Sequence, residues 1–197
     1  MSITAKEIAE LRAKIGLPMM EVKSALIEAK GSEEEAIKIL RSRGLSKIGK
    51  RSEKETKSGL IEAYVHDGKI GVLVEVLVES DFVAKNADFK NFVHELTLQI
   101  AATNPKYISS NDISAEELAR IKEELVGEAK DLGKPSDIAE KMIEGKLNKY
   151  YAEVCLLSQP YIKDEDKTVG DLLADLVAKI GEKIVVSRFV RYELGAK

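Results

Sequence analysis

Residues 61–79 read IEAYVHDGKIGVLVEVLVE, and this stretch decides the fold because its side chains alternate with the period of a β-strand. Its second half places one apolar set on a single face: Ile70, Val72, Val74, Val76 and Val78. The other face mixes Glu75 and Glu79 with apolar residues, as in an antiparallel strand with one partly solvated face. Between the halves lies Asp67-Gly68, a dipeptide suited to the positive φ angles of a tight turn. We therefore predict a β-hairpin.

Three short helices are predicted ahead of this hairpin, within residues 1–44. Thr4 and Glu7 have the spacing of a capping box, in which each side chain bonds the backbone N–H of the other residue. Ser32 and Glu35 repeat that spacing. Pro18 is placed at the first position of the middle helix, where its missing N–H costs nothing. The helices are expected to end at Gly16, Gly31 and Gly44. Helices this short need one another to bury their apolar stripes, which predicts a compact three-helix module.

The rest of the chain is predicted to be a polar, basic linker over residues 45–58 and an α+β core over residues 59–197. A helix capped by Asp88 follows the hairpin, and two helices opened by Ser114 and Ser136 are expected to form an antiparallel helical hairpin. One more helix is marked by Val169, Leu172, Leu173 and Leu176. Residues 184–192 predict a third strand, whose imperfect alternation leaves open which face is buried.

The predicted fold class is thus α+β. An N-terminal three-helix bundle is followed by a small antiparallel three-stranded sheet, packed with helices and a helical hairpin.

Composition favours a protein partner over nucleic acid. The net charge is −3, and Lys and Arg are interspersed with Asp and Glu rather than gathered on one face. Cys155 is the single cysteine, which excludes an internal disulfide and leaves pairing between chains open. No apolar run approaches the roughly 18 residues of a membrane helix, and the N-terminus lacks the apolar segment of a signal peptide. We expect a cytoplasmic location with no membrane partner.

Two partial motifs do not carry chemistry. Residues 44–51, GLSKIGKR, resemble a phosphate-binding loop, but Arg51 stands where Ser or Thr must hold Mg²⁺, and the stretch follows a helix. His94-Glu95 begins a zinc-protease pattern that fails at Leu98. Two separated histidines and one cysteine do not form a cluster of soft metal ligands. We predict no cofactor, no metal site and no covalent catalysis.

The junction after the hairpin, Ser80-Asp81-Phe82-Val83-Ala84, admits two interpretations. In the first, Ser80 or Asp81 caps a helix and Phe82 is a core residue. In the second, the strand ends at Glu79, so Phe82 leaves the alternation and projects beside a carboxylate. An aromatic side chain presented in that way is typical of an interface hot spot. Local sequence leaves both interpretations open.

Several ordered segments resemble the elongation factor Ts family. Residues 80–86, SDFVAKN, are similar to its Thr-Asp-Phe-Val-Ala signature, and residues 17–26, LPMMEVKSAL, are similar to its N-terminal segment. Three C-terminal blocks follow in the family's order: QPY at 159–161, KTVG at 167–170 and RFVRYE at 188–193. The resemblance spans about residues 4–195. The sequence departs from the family pattern at three positions: Ser80 stands where the family has Thr, and Val22 and Ser24 stand where it has Cys and Lys.

The resemblance implies a function by binding alone. The partner would be elongation factor Tu, and the N-terminal module would be similar to ubiquitin-associated domains. The residues that would enter the GTPase and disturb its Mg²⁺ site are Ser80, Asp81, Phe82 and Val83. Met19 and Met20 would help the N-terminal module grip the nucleotide-binding domain. Met19 also lies on the stripe of Val22 and Leu26, so core packing stays open for it.

The resemblance also implies a dimer, and two other functions stay as alternatives. Only one hairpin-plus-strand unit is visible, so a short member of the family is expected to complete its core as a homodimer, and unpaired sheet edges give a physical motive. The residues around Leu17 to Met20 are also compatible with an adaptor for ubiquitin-like or other helical partners. RNA binding through the basic linker is the third possibility.

Overall fold

The computed structural model describes residues 3–15, 17–50, 54–131 and 136–196. Two compact units divide the chain: Met1–Thr97 with Asp171–Lys197, and Leu98–Gly170. The first holds a three-helix bundle and a three-stranded antiparallel sheet, and the second holds a helical hairpin and a two-stranded ribbon. The predicted α+β fold class is confirmed.

The N-terminal helices are α1 (Ala5–Ile15), α2 (Met19–Glu28) and α3 (Glu33–Lys50). The first capping box is confirmed: the Thr4 N–H donates to Glu7 at 2.7 Å, and the Glu7 N–H donates to the Thr4 hydroxyl at 3.3 Å. The buried residues of the bundle form one core with Ala178: Ile8, Leu11, Leu17, Val22, Ala25, Leu26, Ala36 and Leu40. Arg41 adds an ion pair to Asp175, 3.4 Å from Nε to Oδ1.

Two helix boundaries differ from the prediction. Pro18 precedes α2 as its N-cap residue, with its carbonyl accepting from the N–H groups of Glu21 and Val22 at 3.0 and 3.1 Å. Helix α3 does not end at Gly44 but continues to Lys50, because one glycine lowers helix propensity without stopping a helix. The stretch that resembles a phosphate-binding loop is therefore helical through residue 50, and residue 51 lies outside the described residues.

The sheet has the order β1-β2-β5, with β1 at Ser58–His66, β2 at Ile70–Val78 and β5 at Ile184–Glu193. The predicted hairpin is confirmed: β1 pairs antiparallel with β2, and Asp67 and Gly68 both have positive φ, 49° and 65°. The register between β2 and β5 shifts at Glu75/Val76: Val76 pairs with Val186 and Glu75 pairs with Arg188, so Ser187 has no partner in the register. This bulge moves the buried phase of β5 by one residue, which explains the imperfect alternation in the sequence.

Helix α4 (Asp81–Ala84) follows β2, and α5 (Ala87–Thr103) comes next. The inner face of the sheet is buried and carries Val72, Val74, Val76, Val78, Ile184 and Val186. On α5, His94 lies 3.3 Å from Glu62 of β1 and makes an edge contact with Tyr64. The outer face stays open, and Ile61 and Val65, the apolar set of β1, are exposed there.

The second unit contains α6 (Ala115–Asp131), α7 (Ser136–Val154) and a ribbon of β3 (Pro160–Tyr161) with β4 (Asp164–Thr168). Helix α8 (Val169–Ile180) then leads to β5. Glu117 near the start of α6 contacts Tyr150 near the end of α7, so the two helices run antiparallel as predicted. Two buried glutamines hold the ribbon: Gln99 bonds Gln159 at 3.2 Å and the Ile162 N–H at 3.0 Å.

Candidate functional site

The 80–84 turn lies where β2 gives way to helix. Strand β2 ends at Val78, and Ser80 still has extended φ and ψ of −129° and 154° as the N-cap of α4. Its hydroxyl accepts from the Val83 N–H at 3.5 Å, and its carbonyl accepts from the Ala84 N–H at 3.2 Å. The first interpretation of the sequence is therefore right about Ser80, which caps the helix.

The four residues of this predicted site have different environments. Phe82 is 89 % exposed, so its interpretation as a core residue is wrong. Asp81 is exposed beside it. Val83 is only 9 % exposed, and Ser80 is half-buried. The structure thus presents Asp81 and Phe82 to solvent and holds the turn through Ser80 and Val83.

The segment before β5 fastens the base of the turn. Glu182 accepts from the Ser80 hydroxyl at 2.7 Å and from the Ser80 N–H at 3.1 Å. In the reverse direction, the Lys183 N–H donates to the carboxylate of Glu79 at 2.7 Å. Glu182 was not predicted from the sequence. The only local signal is its position just after Gly181, whose φ of 81° ends α8.

The far end of the turn is fixed by the start of α5. The side-chain oxygen of Asn86 accepts from the N–H groups of Asp88 and Phe89 at 2.7 and 3.4 Å. Asn86 is therefore the cap, and the prediction of Asp88 in that role is wrong. The carboxylate of Asp88 instead pairs with Lys179 of α8 at 2.8 Å. A side-chain cap and a buried valine leave the turn little freedom of its own.

A second exposed apolar surface lies on α2. Met20 is 72 % exposed, Met19 is 51 % exposed, and Ile27 is 58 % exposed. Val22 and Leu26 face the bundle core, so the two sides of the helix are distinct. About half of the Met19 side chain is exposed, so Met19 is not fully buried in the bundle core. Ile27 was missed by the sequence analysis, although its spacing of seven residues from Met20 gives it the same helix face.

A carboxylate and two tyrosine hydroxyls form a hydrogen-bonded cluster in the second unit. Glu117 accepts from the hydroxyls of Tyr107 at 2.6 Å and Tyr150 at 3.1 Å. The bond from Tyr107 lowers the pKa of Glu117, and the same bond raises the pKa of Tyr107. Burial, followed by the bond to Glu117, raises the pKa of Tyr150 to about 12. The cluster fastens the start of α6 to the end of α7.

The two histidines are closer than their sequence separation suggests, since both contact Tyr64 with ring centroids 6.1 and 6.4 Å away. Within the part of the chain that the structure describes, however, no three His, Cys, Asp or Glu side chains gather as metal ligands. Nor does any helix in the described ranges combine the length and apolar character needed to cross a membrane.

Comparison with known proteins gives one consistent result. The family model described as Elongation factor TS matches residues 3–196. The Elongation factor Ts of Alkaliphilus oremlandii is 50% identical over 195 residues, which covers 99% of this chain and 90% of that protein. That of Caldanaerobacter subterraneus is 50% identical over 194 residues, covering 98% of this chain and 97% of the relative. That of Moorella thermoacetica is also 50% identical, with 98% and 96% covered.

An exposed aromatic side chain beside a carboxylate on an anchored turn is typical of a protein-binding surface. The chain belongs to the elongation factor Ts family, since the family model matches nearly all of it. This family of translation elongation factors has the role of nucleotide exchange on elongation factor Tu and performs no covalent chemistry.

Proposed function

We propose that this chain promotes the release of GDP from elongation factor Tu by inserting residues 80–83 of the 80–84 turn into the GTPase and disturbing its Mg²⁺ site. The observation that carries the proposal is the exposure of Phe82, 89 %, on a turn whose neighbouring residues are fastened to the rest of the fold. An exposed Phe ring on an anchored backbone can enter a partner with little loss of backbone entropy. This function would place the chain in the cytoplasm, with the translation machinery.

Burial of the ring supplies part of the energy that the distortion costs. Transfer of a fully exposed Phe side chain into a partner is worth roughly 1.5–3 kcal/mol. Mg²⁺ demands near-octahedral ligands at short distances, so a small displacement of the elements that hold it is expensive. Asp81 beside the ring brings a negative charge that can compete for donors around the nucleotide phosphates. Val83 is buried in the isolated chain and supports the turn from within.

The exposed face of α2 provides a second contact. Met20 and Ile27 present flexible and branched apolar side chains on one side of the helix, and Met19 lies at its margin. We assign this face to the nucleotide-binding domain of the GTPase. A contact away from the turn adds affinity without itself distorting the Mg²⁺ site, so its loss should weaken binding more than the maximal release rate.

Coupling between the factor and the nucleotide must be reciprocal. If the factor weakens the binding of GDP, then GDP weakens the binding of the factor by the same ratio. The complex is therefore an intermediate that either nucleotide can dissolve, and nothing is hydrolysed.

The direct test is stopped-flow release of labelled GDP from elongation factor Tu, with and without this protein. Release should accelerate with factor concentration and reach a plateau, and an unchanged rate would refute the proposal.

A pull-down should recover the GTPase. Recovery of ubiquitin-like proteins instead would support the adaptor alternative. Calorimetry of the isolated chain should show no binding of GDP at micromolar concentration.

We also propose that the chain is a homodimer that pairs through the outer face of its sheet. That face is mostly apolar and open, with exposed side chains on all three strands: Ile61 and Val65 on β1, Leu73 on β2, and Val190 and Tyr192 on β5. Leu73 and Val190 are directly paired across the strands. Large open apolar faces on a sheet mark interaction sites, and two such faces can stack about 10 Å apart.

The charge pattern on this face fits a second copy of the chain. Arg188 and Glu75 are the charged pair at its centre, 2.7 Å apart, and the bond from Arg188 lowers the pKa of Glu75. Because the two charges neutralise each other within one chain, an identical face can approach without net repulsion. A partner surface that is strongly acidic or strongly basic would not meet a surface of opposite net charge on this face. We therefore propose this face as the dimer interface.

A further inference from the structure

We infer that Glu182 is the positioning residue of the 80–84 turn: its carboxylate fixes Ser80, so that α4 begins there and presents Phe82 to the partner. The inference rests on the function proposed above and adds a residue to it. Glu182 lies between α8 and β5, 102 positions away from Ser80 in sequence, and does not need to touch the GTPase.

The geometry uses both oxygens of the carboxylate. Oε1 accepts from the Ser80 hydroxyl at 2.7 Å, and Oε2 accepts from the Ser80 N–H at 3.1 Å. Because the Ser80 hydroxyl donates its proton to Glu182, the lone pairs of the Ser80 oxygen remain to accept from the Val83 N–H, 3.5 Å away. Glu182 therefore sets the orientation in which Ser80 caps α4.

The contact continues the sheet register after the backbone ladder has ended. The last pair of β2 and β5 is Val78 with Ile184, and the same register would set Glu79 opposite Lys183 and Ser80 opposite Glu182. At these two positions side chains replace carbonyls as acceptors: Glu182 takes the Ser80 N–H, and Glu79 takes the Lys183 N–H. The backbone of residue 80 is thus held like a strand residue while the chain is free to turn into a helix.

A turn of this length needs such support. Helix α4 has four residues, so it cannot be stable through its own hydrogen bonds. Asn86 fixes the chain after the C-terminal end of α4, and the buried Val83 anchors one side of the helix. The N-terminal end of α4 is held by Ser80 and Glu182. Without the carboxylate, the Ser80 hydroxyl can rotate away from Val83, and the exposed ring loses its fixed direction.

The first experiment measures the turn in the isolated protein. The chain contains no tryptophan, so the substitution Phe82→Trp gives a fluorescence signal from the turn alone. In that background, Glu182→Ala should lower the anisotropy of the indole and increase its quenching by acrylamide. Glu182→Gln, which keeps the length and one acceptor oxygen, should show a smaller effect and covers the case in which the alanine variant folds poorly. An indole equally ordered in all three proteins would overturn the inference.

The second experiment measures exchange with Phe82 present. Glu182→Ala should lower the maximal rate of stimulated GDP release about five- to tenfold, as expected for a lost helix cap at a site that must be preorganised. The factor concentration for half-maximal release should change less, since the α2 face is intact. Glu79→Ala is the matched control, because it removes the acceptor of the Lys183 N–H at the same strand end and leaves both bonds between Glu182 and Ser80. It should lower the melting temperature similarly and the maximal rate less than about twofold. Equal losses of rate in the two variants would mean that Glu182 is only structural.

A double variant separates this inference from the function on which it rests. In the Phe82→Ala background, Glu182→Ala should cause no further loss of exchange, because nothing remains to be positioned. Suppose that Phe82→Ala alone leaves exchange unchanged, while Glu182→Ala still increases the mobility of the indole in the Phe82→Trp background. The proposed function then fails and the positioning role stands. Additive losses in the double variant would overturn the positioning role.

Discussion

Phe82 and Val83 are consecutive in the chain and have opposite environments: the Phe82 side chain is 89 % exposed, and Val83 is 9 % exposed. In one turn of helix, neighbouring side chains diverge by about 100°, so a buried residue can hold the backbone while the next one is presented to solvent. This relationship separates recognition from folding within the 80–84 turn, and mutations can test the two roles separately.

Removal of the exposed ring should affect exchange and not folding. We expect Phe82→Ala to reduce stimulated GDP release by about tenfold or more, because the lost burial of roughly 1.5–3 kcal/mol applies only in the complex. Asp81→Ala should also slow release. The free energy of unfolding should stay within about 0.5 kcal/mol of the wild type, measured by urea titration. Ile138→Ala, which shortens an exposed apolar side chain on α7, is the control for exchange. Unchanged release in both turn variants would contradict the assignment.

Shortening of the buried neighbour should affect folding first. Val83→Ala removes two methyl groups from a buried position, and we expect the free energy of unfolding to fall by about 1–2 kcal/mol. Urea unfolding followed by circular dichroism provides the measurement. A stability equal to that of the wild type would show that Val83 does not anchor the turn. Ala84 lies beside it and is less buried, so Ala84→Gly tests mainly the effect of added backbone freedom in the turn.

The two sides of α2 should give opposite phenotypes. Met20→Ala is expected to weaken binding to elongation factor Tu with little change in stability, because Met20 is 72 % exposed. Val22→Ala, in the core of the bundle, should lower the free energy of unfolding by about 1–2 kcal/mol. Titration calorimetry and urea unfolding together distinguish the two. If Met20→Ala binds like the wild type, the contact on α2 is misassigned.

A charge on the outer sheet face should separate the proposed homodimer. Leu73→Lys places an ammonium group among apolar residues of both copies, and its burial in an interface would cost several kcal/mol. We expect a dimer mass for the wild type and a monomer mass for the variant, measured by light scattering at micromolar concentration. Met20→Lys adds the same charge on the α2 face and should remain dimeric. A wild-type monomer would refute the proposal.

High pH should destabilise the second unit through Tyr150. Its pKa is raised to about 12 in the folded state, from about 10 when unfolded. Above about pH 10 the unfolded chain releases this proton first, so stability is complete below that pH and falls as the pH rises towards 12. Tyr150→Phe should therefore show a shallower loss of stability between about pH 10 and pH 12 in urea titrations. A parallel decline in both proteins would show that Tyr150 does not contribute.

The exposed ring is also where local sequence reasoning reaches its limit. The pattern around residue 80 left two interpretations open, a helix cap with Phe82 in the core or a projecting Phe82. In the structure Ser80 caps the helix and Phe82 is exposed. Capping is a local interaction between residues three apart, so sequence can encode it directly. Exposure depends on what packs against the turn, which no local pattern contains.

Strand β5 shows the same limit in a regular element. Its composition predicted a strand, and the structure confirms it. Its buried face could not be predicted, because the bulge beside Ser187 changes the phase in mid-strand, and a bulge is defined by pairing with β2. Likewise, β1 carries Ile61 and Val65 on the open face, and alternation alone does not say which face a sheet will cover.

By itself the sequence determined many local conformations: the hairpin through Asp67-Gly68, helix starts such as the capping box of Thr4 and Glu7, and the α+β class through the change of period. These depend on interactions within a few residues of each other, which a linear pattern records. Tertiary structure alone decided that Glu182 meets Ser80 across 102 positions and that Phe82 stays outside the core. Such contacts arise only when β5 pairs with β2, because that pairing brings distant segments into one register.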